Sequence, residues 1–385
     1  MRYFILIFLT INCYFISATA QTYERYKKLT DTTLTSKYLG FKKDISVLVP
    51  FEWQEDLDRN FPLIIIFDKQ NQRSHNYILN TIDYLTSNEQ MPSSIIISLA
   101  SEQKYRLLET LHKASDKNGL ALENDAFIFK ELIPLAEKHF KASSFRLFIG
   151  HSRYGYYSTS LFCSKTNHLN AVIAISPFFK QQNVSLYDSI IDLNNEKVNF
   201  KKYYRFAIGN DYPDDFIKMD STLKQLSNEN INAKGSFYEQ AVHNVTPGLS
   251  IAVALYEIFE DWSKIQSKYI SNDQKEISIV ENLQLEIEQI YGIDLAFSLG
   301  NLNGKGWYFY NEGQYGKAIE AWELLLKTYP NYSEAILYIM DAQLQLKKER
   351  QPTFERFKKS LAKTTIYTDI EKDELLEEAI KILTR

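Results

Sequence analysis

A serine on a tight turn, two histidines downstream of it and a carboxylate-rich loop between those histidines could together do covalent chemistry. Residues 145–157 read Phe-Arg-Leu-Phe-Ile-Gly-His-Ser-Arg-Tyr-Gly-Tyr-Tyr: a short apolar strand, a Gly-His-Ser turn and the start of a helix. This pattern reads as a nucleophile elbow. Such a turn exposes the hydroxyl of Ser152, and the N–H of the next residue, Arg153, faces the anion that forms during acyl transfer. One position departs from the usual Gly-x-Ser-x-Gly spacing, because Tyr154 stands second after the serine and Gly155 third. A ring must therefore fit where helix and strand run close together.

A hydroxyl is a weak nucleophile near neutral pH, so it needs a base within hydrogen-bond reach and an acid group to hold that base. Of six histidines only His168 and His243 follow the serine. His168 lies in a polar loop directly behind the elbow helix. His243 follows a strand expected at 235–240 and precedes a helix, which suits a base. His151 neighbours the serine on the turn and is read as a supporting group. For the acid, a strand at 204–208 runs into Gly209-Asn210-Asp211-Tyr212-Pro213-Asp214-Asp215. All three carboxylates are candidates, since aspartates in turns also serve as helix caps.

The elements that must position these groups alternate. Residues 38–50 alternate in polarity and end on Pro50, as an edge strand can. The run Pro62-Leu63-Ile64-Ile65-Ile66-Phe67 reads as a strand buried on both faces, and a helix through Leu85 leads to another such strand at 94–99. A helix expected at 125–139, capped by Asn124, precedes the elbow strand. Short strands at 171–175 and 204–208 and an amphipathic helix at 251–262 complete the series. This order predicts an α/β fold with a doubly wound, mostly parallel sheet covered by helices. Its 385 residues leave room for a second unit. The formal net charge of -4 gives no global field for holding a polyanion, so nucleic acid is not an expected partner.

Over about residues 38–262 the chain resembles the esterase D-like esterases of the α/β-hydrolase superfamily, which include siderophore, feruloyl and acetyl-xylan esterases and mycolyltransferases. The resemblance is carried by Phe67-Asp68, Tyr105-Arg106, Asp125-Ala126-Phe127 through Glu131-Leu132-Ile133-Pro134, Gly150-His151-Ser152, and His243 with Pro247 and Ser250. It implies a carboxylic ester hydrolase with Ser152 as nucleophile, His243 as base and Asp211 as acid. It also implies that the N–H of Gln70 joins that of Arg153 in the oxyanion hole. Lys69 occupies a position where the family usually carries glycine, which questions the loop's dihedrals. The implied substrate is a small-molecule or glycan-linked ester.

Residues 1–20 read as a secretory signal, with Arg2, an apolar stretch at 3–16 and Ala18-Thr19-Ala20 before Gln21. Export to the periplasm or beyond follows, with no membrane span after signal removal. Cys13 would leave with the signal, so Cys163 remains as a lone thiol. Residues 21–267 form the expected esterase domain. Residues 268–385 are expected to be helical, because Gly306, Phe309, Gly313, Tyr315, Ala318, Trp322 and Pro330 resemble one tetratricopeptide repeat. A partial second repeat starts at 331–346, and Pro352 falls where its second helix should hold a small residue. Trp307, Tyr308 and Trp322 are expected to lean on the larger domain, and the tail could instead meet a protein partner. No metal signature and no phosphate loop appears, so neither metal nor cofactor is implied. The competing function is a catalytically silent hydrolase scaffold that assembles with partners through the tail.

Overall fold

The computed structural model describes residues 23–55, 58–271 and 276–385. The signal segment and Cys13 lie outside the described residues. Eight strands make the main sheet: β1 Tyr26–Thr35, β2 Lys42–Pro50, β3 Phe61–Ile66, β4 Ile95–Leu99, β5 Ala142–His151, β6 Ala171–Ile175, β7 Lys202–Ile208 and β8 Ile231–Phe237. They lie in the order β1-β2-β4-β3-β5-β6-β7-β8. Pairing is antiparallel from β1 to β2 and from β2 to β4, and parallel throughout the rest. The parallel strands β3, β4 and β6 are buried at every residue, which is why they read as unbroken apolar runs.

The expected edge strand is not at the edge. β2 is flanked on both sides, because β1 pairs along it with a register shift between Lys28 and Thr30. β1 reads Tyr-Lys-Lys-Leu-Thr-Asp-Thr-Thr-Leu-Thr. Its threonines favour extended backbone, while its lysines and aspartate keep the outer edge from pairing with another chain. The helix expected at 125–139 begins earlier, as α2 (Ala121–Phe127), and continues through a π turn into α3 (Ile133–Phe140). Asn124 is thus inside a helix, and its side chain donates to the Glu109 carbonyl, 3.1 Å away, in place of capping.

Helices cover both faces of the sheet. α1 (Gln72–Ser87) packs beside α7 (Thr246–Ile270), whose Pro247 opens its first turn. On the other face lie α4 (Arg153–Ser164), α5 (Leu186–Asp192) and α6 (Pro213–Leu223). The C-terminal region is all helical: α8 Ile279–Tyr291, α9 Leu299–Asn311, α10 Tyr315–Thr328, α11 Glu334–Gln345, α12 Gln351–Lys363 and α13 Asp369–Thr384. α9 and α10 approach closely at Gly306, where a Cβ would come within 2.2 Å of the Trp322 indole nitrogen. Pro352 does not interrupt a helix. It occupies the first turn of α12, where its missing N–H has no intrahelical partner to lose.

One apolar cluster runs without a break from Ile64 and Ile66 of β3 through Ile258 and Trp262 of α7 to Ile382 of α13. Polar contacts fix the same junction. The Trp262 indole donates to the Leu295 carbonyl at 3.2 Å, Tyr291 donates to the Ile258 carbonyl at 3.0 Å, and Asn331 donates to the Glu52 carbonyl at 2.7 Å. Arg59 lies between the rings of Phe61 and Tyr329. The tail therefore leans on the sheet, and of the expected aromatic residues Trp322 is buried in the same cluster while Trp307 and Tyr308 pack against it. Trp307 and Trp322 pack on each other at 5.2 Å and on Tyr338, inside the tail.

Candidate active site

Ser152 stands between the last residue of β5 and the first of α4 with φ 59° and ψ -118°. A non-glycine residue holds such angles only when its surroundings enforce them. Here Ser152 N–H donates to the Ile175 carbonyl at 2.8 Å, and the Ser152 carbonyl accepts from Tyr156 N–H at 3.0 Å. Two glycines let the turn close. A Cβ on Gly150 would lie 2.1 Å from the Tyr154 carbonyl oxygen, and one on Gly155 would lie 3.1 Å from that of Ile175. Gly155 thus takes the close approach, so position 154 has space for a ring. Tyr154 is buried, stacks on Phe67 at 4.5 Å, and has its hydroxyl 2.7 Å from Ser101 Oγ and in contact with the Glu109 carboxylate.

Asp211 follows β7 and comes within 2.5 Å of His243 Nδ1 through Oδ2, while its Oδ1 accepts from Gly209 N–H at 3.1 Å. The acid and base loops cross tightly. A Cβ on Gly209 would fall 2.1 Å from the Ala241 carbonyl oxygen, to which Asn210 N–H also donates at 2.7 Å. Asp214 and Asp215 instead begin α6, and Asp215 accepts from the Tyr187 hydroxyl. His168 is remote from this cluster in its contacts: its carbonyl accepts from Arg146 and its ring faces Phe129. His151 is buried with Nε2 3.1 Å from the His243 carbonyl oxygen and its ring 4.6 Å from the His243 ring. Burial first, and His243 second, hold its imidazole down at about 4. Among the described residues no hydrogen bond joins Ser152 Oγ to His243. Such contacts are commonly long in ligand-free sites and tighten around a substrate.

The loop after β3 answers the question raised by Lys69. Its left-handed residue is Asp68, with φ 61°, and Lys69 has no positive φ. Aspartate tolerates this region better than most residues, and Arg106 holds its carboxylate through both oxygens, at 2.8 and 2.5 Å. Lys69 N–H donates to the Leu99 carbonyl at 2.9 Å. Among the described residues, neither the Gln70 N–H nor the Arg153 N–H has an acceptor.

A buried polar chain that no sequence motif marks lies beneath this loop. Lys43 Nζ donates to Glu109 at 2.8 Å and to Ser101 Oγ at 3.0 Å. Ser101 Oγ also donates to Glu109 at 2.7 Å, and Ser101 N–H donates to the Gln70 side-chain carbonyl at 2.9 Å. The Gln70 amide in turn donates to Asp68 at 2.8 Å. Burial pushes the Lys43 ammonium down and Glu109 opposes that shift. The one sequence signal was Tyr154, whose buried hydroxyl required a partner.

A family model described as "Putative esterase" matches residues 36–234, more than half of the chain. No curated protein matches the sequence. Among solved structures, an IroE-like serine hydrolase from Shewanella oneidensis is similar with a TM-score of 0.63 and 15% identity, covering 79% of this chain and 100% of that one. An uncharacterised protein from Capnocytophaga ochracea is similar with a TM-score of 0.58 and 12% identity, over 92% of this chain and 99% of that one. The second overlap is long enough to include part of the helical tail. Both likenesses are likenesses of fold, of the α/β-hydrolase type.

Proposed function

We propose, from the premise that the chain belongs to the "Putative esterase" family and is a carboxylic ester hydrolase, that it cleaves its substrate through an acyl-enzyme on Ser152. Ser152 Oγ attacks the ester carbonyl carbon while His243 takes the hydroxyl proton, and Asp211 stabilises the imidazolium. The tetrahedral oxyanion lies between the N–H groups of Arg153 and Gln70. Its collapse breaks the carbon–oxygen bond to the alcohol, which leaves with the proton from His243. Water then attacks the acyl-enzyme with His243 again as base, and the carboxylic acid departs with Ser152 restored. The observation that carries this reading is the 2.5 Å contact of Asp211 with His243, on loops beside a serine held at φ 59°.

Siderophore, feruloyl and acetyl esters are the substrate types this reading puts first. Residues 1–20 act as an export signal in this proposal, so the enzyme works in the periplasm or outside the cell. Among the described residues no helix is long and apolar enough to cross a membrane. Residues 268–385 are assigned as a tetratricopeptide-like unit whose outer face is available to a protein partner. The test is labelling of the purified protein by a fluorophosphonate, with hydrolysis of a short-chain aryl ester measured in parallel. Wild type should label and turn over, and Ser152→Ala should do neither. Equal labelling or equal turnover in the two proteins overturns the mechanism.

A further inference from the structure

Arg153 contributes a second group to the site besides its N–H. Its guanidinium lies 5.9 Å from the Phe178 ring. It is also close enough to Arg106, beside the oxyanion loop, and to Tyr212, next to the proposed acid, for both to act on its charge. The Tyr212 ring in turn meets the His243 ring edge-on at 6.1 Å. Phe178 follows β6, whose Ile175 carbonyl accepts from the Ser152 N–H, so the guanidinium lies on the β6 side of the nucleophile.

The charges around it are already paired. Arg106 is neutralised by Asp68, and Asp211 is engaged by His243. Among the described residues no carboxylate lies within ion-pair distance of Arg153, while its neighbour Arg106 has one in Asp68. Burial pushes the Arg153 guanidinium below the usual arginine range, and Arg106 adds to that shift. Arg153 is half-buried, and among the described residues its guanidinium is not one of the buried unpartnered groups, so a ligand carboxylate can reach it from solvent. The chain as a whole is negative, at -4, so this local positive charge is not a general property of its surface.

We infer that the ester this enzyme cleaves carries a carboxylate beside its scissile bond, and that the Arg153 side chain binds that carboxylate. The inference rests on the acyl-enzyme reading above and deepens it. The planar guanidinium can hold both oxygens of a carboxylate.

Two matched substrate pairs test it. The 4-nitrophenyl esters of pentanoate and of glutarate place the charge on the acyl side, and methyl 4-acetoxybenzoate with 4-acetoxybenzoate places it on the alcohol side. After correction for spontaneous hydrolysis, the charged member of at least one pair should have the higher kcat/KM, by about tenfold to a hundredfold. The pair that shows it identifies the side. The ratio should fall towards one in Arg153→Met, persist in part in Arg153→Lys, and shrink with added salt. Because each ratio is taken within one variant, any effect of the substitution on the oxyanion N–H cancels. A protein that takes the fluorophosphonate yet shows ratios near one, or does not turn over the charged members, defeats this inference alone. A preference that survives Arg153→Met does the same. Loss of both labelling and hydrolysis in the wild type defeats the acyl-enzyme reading and this one together.

Discussion

Asp211 is the residue whose role can be separated most cleanly from its neighbours. Asp211→Asn keeps the shape of the side chain and removes the charge that holds His243, so kcat should fall by about 10⁴, the loss seen for the orienting aspartate of the best-studied triad. Asp215→Asn should affect stability only, through the Tyr187 contact. A large activity loss at Asp214 or Asp215 with Asp211→Asn fully active would move the acid along the turn. His151 gives a second readout, in pH. Its folded pKa of about 4 lies below the usual 6.5, so between those values the unfolded chain binds more protons. Stability is therefore complete above about 6.5 and is lost as pH falls through that window, by about 1.4 kcal/mol per unit. Urea denaturation of His151→Asn should show an acid slope shallower by that amount, and an unchanged slope would contradict the assignment. At this scale the sequence displayed Ser152, His243 and the three-carboxylate turn, because chemistry needs those residue types in that order. Composition left the three carboxylates open and only the family resemblance pointed to Asp211, since what brings that turn towards His243 is the approach of Gly209 to Ala241.

Elements were legible where apolar runs were long and hidden where polarity masked them. β3, β4 and β6 announced themselves. β1 did not, because an edge strand made of lysine and threonine has the composition of a loop. The left-handed residue of the loop after β3 was equally hidden: the unusual Lys69 drew attention, while Asp68 carries the positive φ. The buried chain of Lys43, Glu109, Ser101 and Tyr154 ties α4 to that loop, and so links the two N–H donors proposed for the oxyanion. Tyr154→Phe should cost about 1–3 kcal/mol of stability by taking one donor from a buried carboxylate. Its kcat should drop further than its KM changes. Glu109→Ala should be worse, about 3–5 kcal/mol, because it strands the Lys43 ammonium in the interior. Calorimetry with steady-state kinetics checks both, and a Tyr154→Phe enzyme matching wild type in stability and kcat would remove the proposed coupling.

At the scale of the whole molecule, the continuous apolar cluster makes the tail part of the hydrolase fold. A chain ending at Ser271 keeps every proposed catalytic group but uncovers Trp262, Ile265 and Tyr269 of α7. Each square ångström of apolar surface so exposed is worth about 25 cal/mol, so the thermal midpoint should fall and amide exchange in α7 should speed up. A midpoint equal to that of the full chain would show that the tail is an independent arm.

The same cluster bears on how the protein is made. Synthesis runs from the sheet towards the tail, and α7, which packs on α1 and the sheet translated before it, is also covered by α8 and α9, which are translated after it. At the usual 5–20 residues per second, roughly 6–20 s separate the emergence of α7 from that of α13. During that interval the nascent chain holds an unfinished core and its apolar face is open to chaperones. Ribosome-bound chains stalled far enough beyond residue 271 for α7 to have left the exit tunnel, but before α9 has emerged, should therefore be protease-sensitive across α1 and α7, and resistance at that length would mean that the sheet closes without its cover.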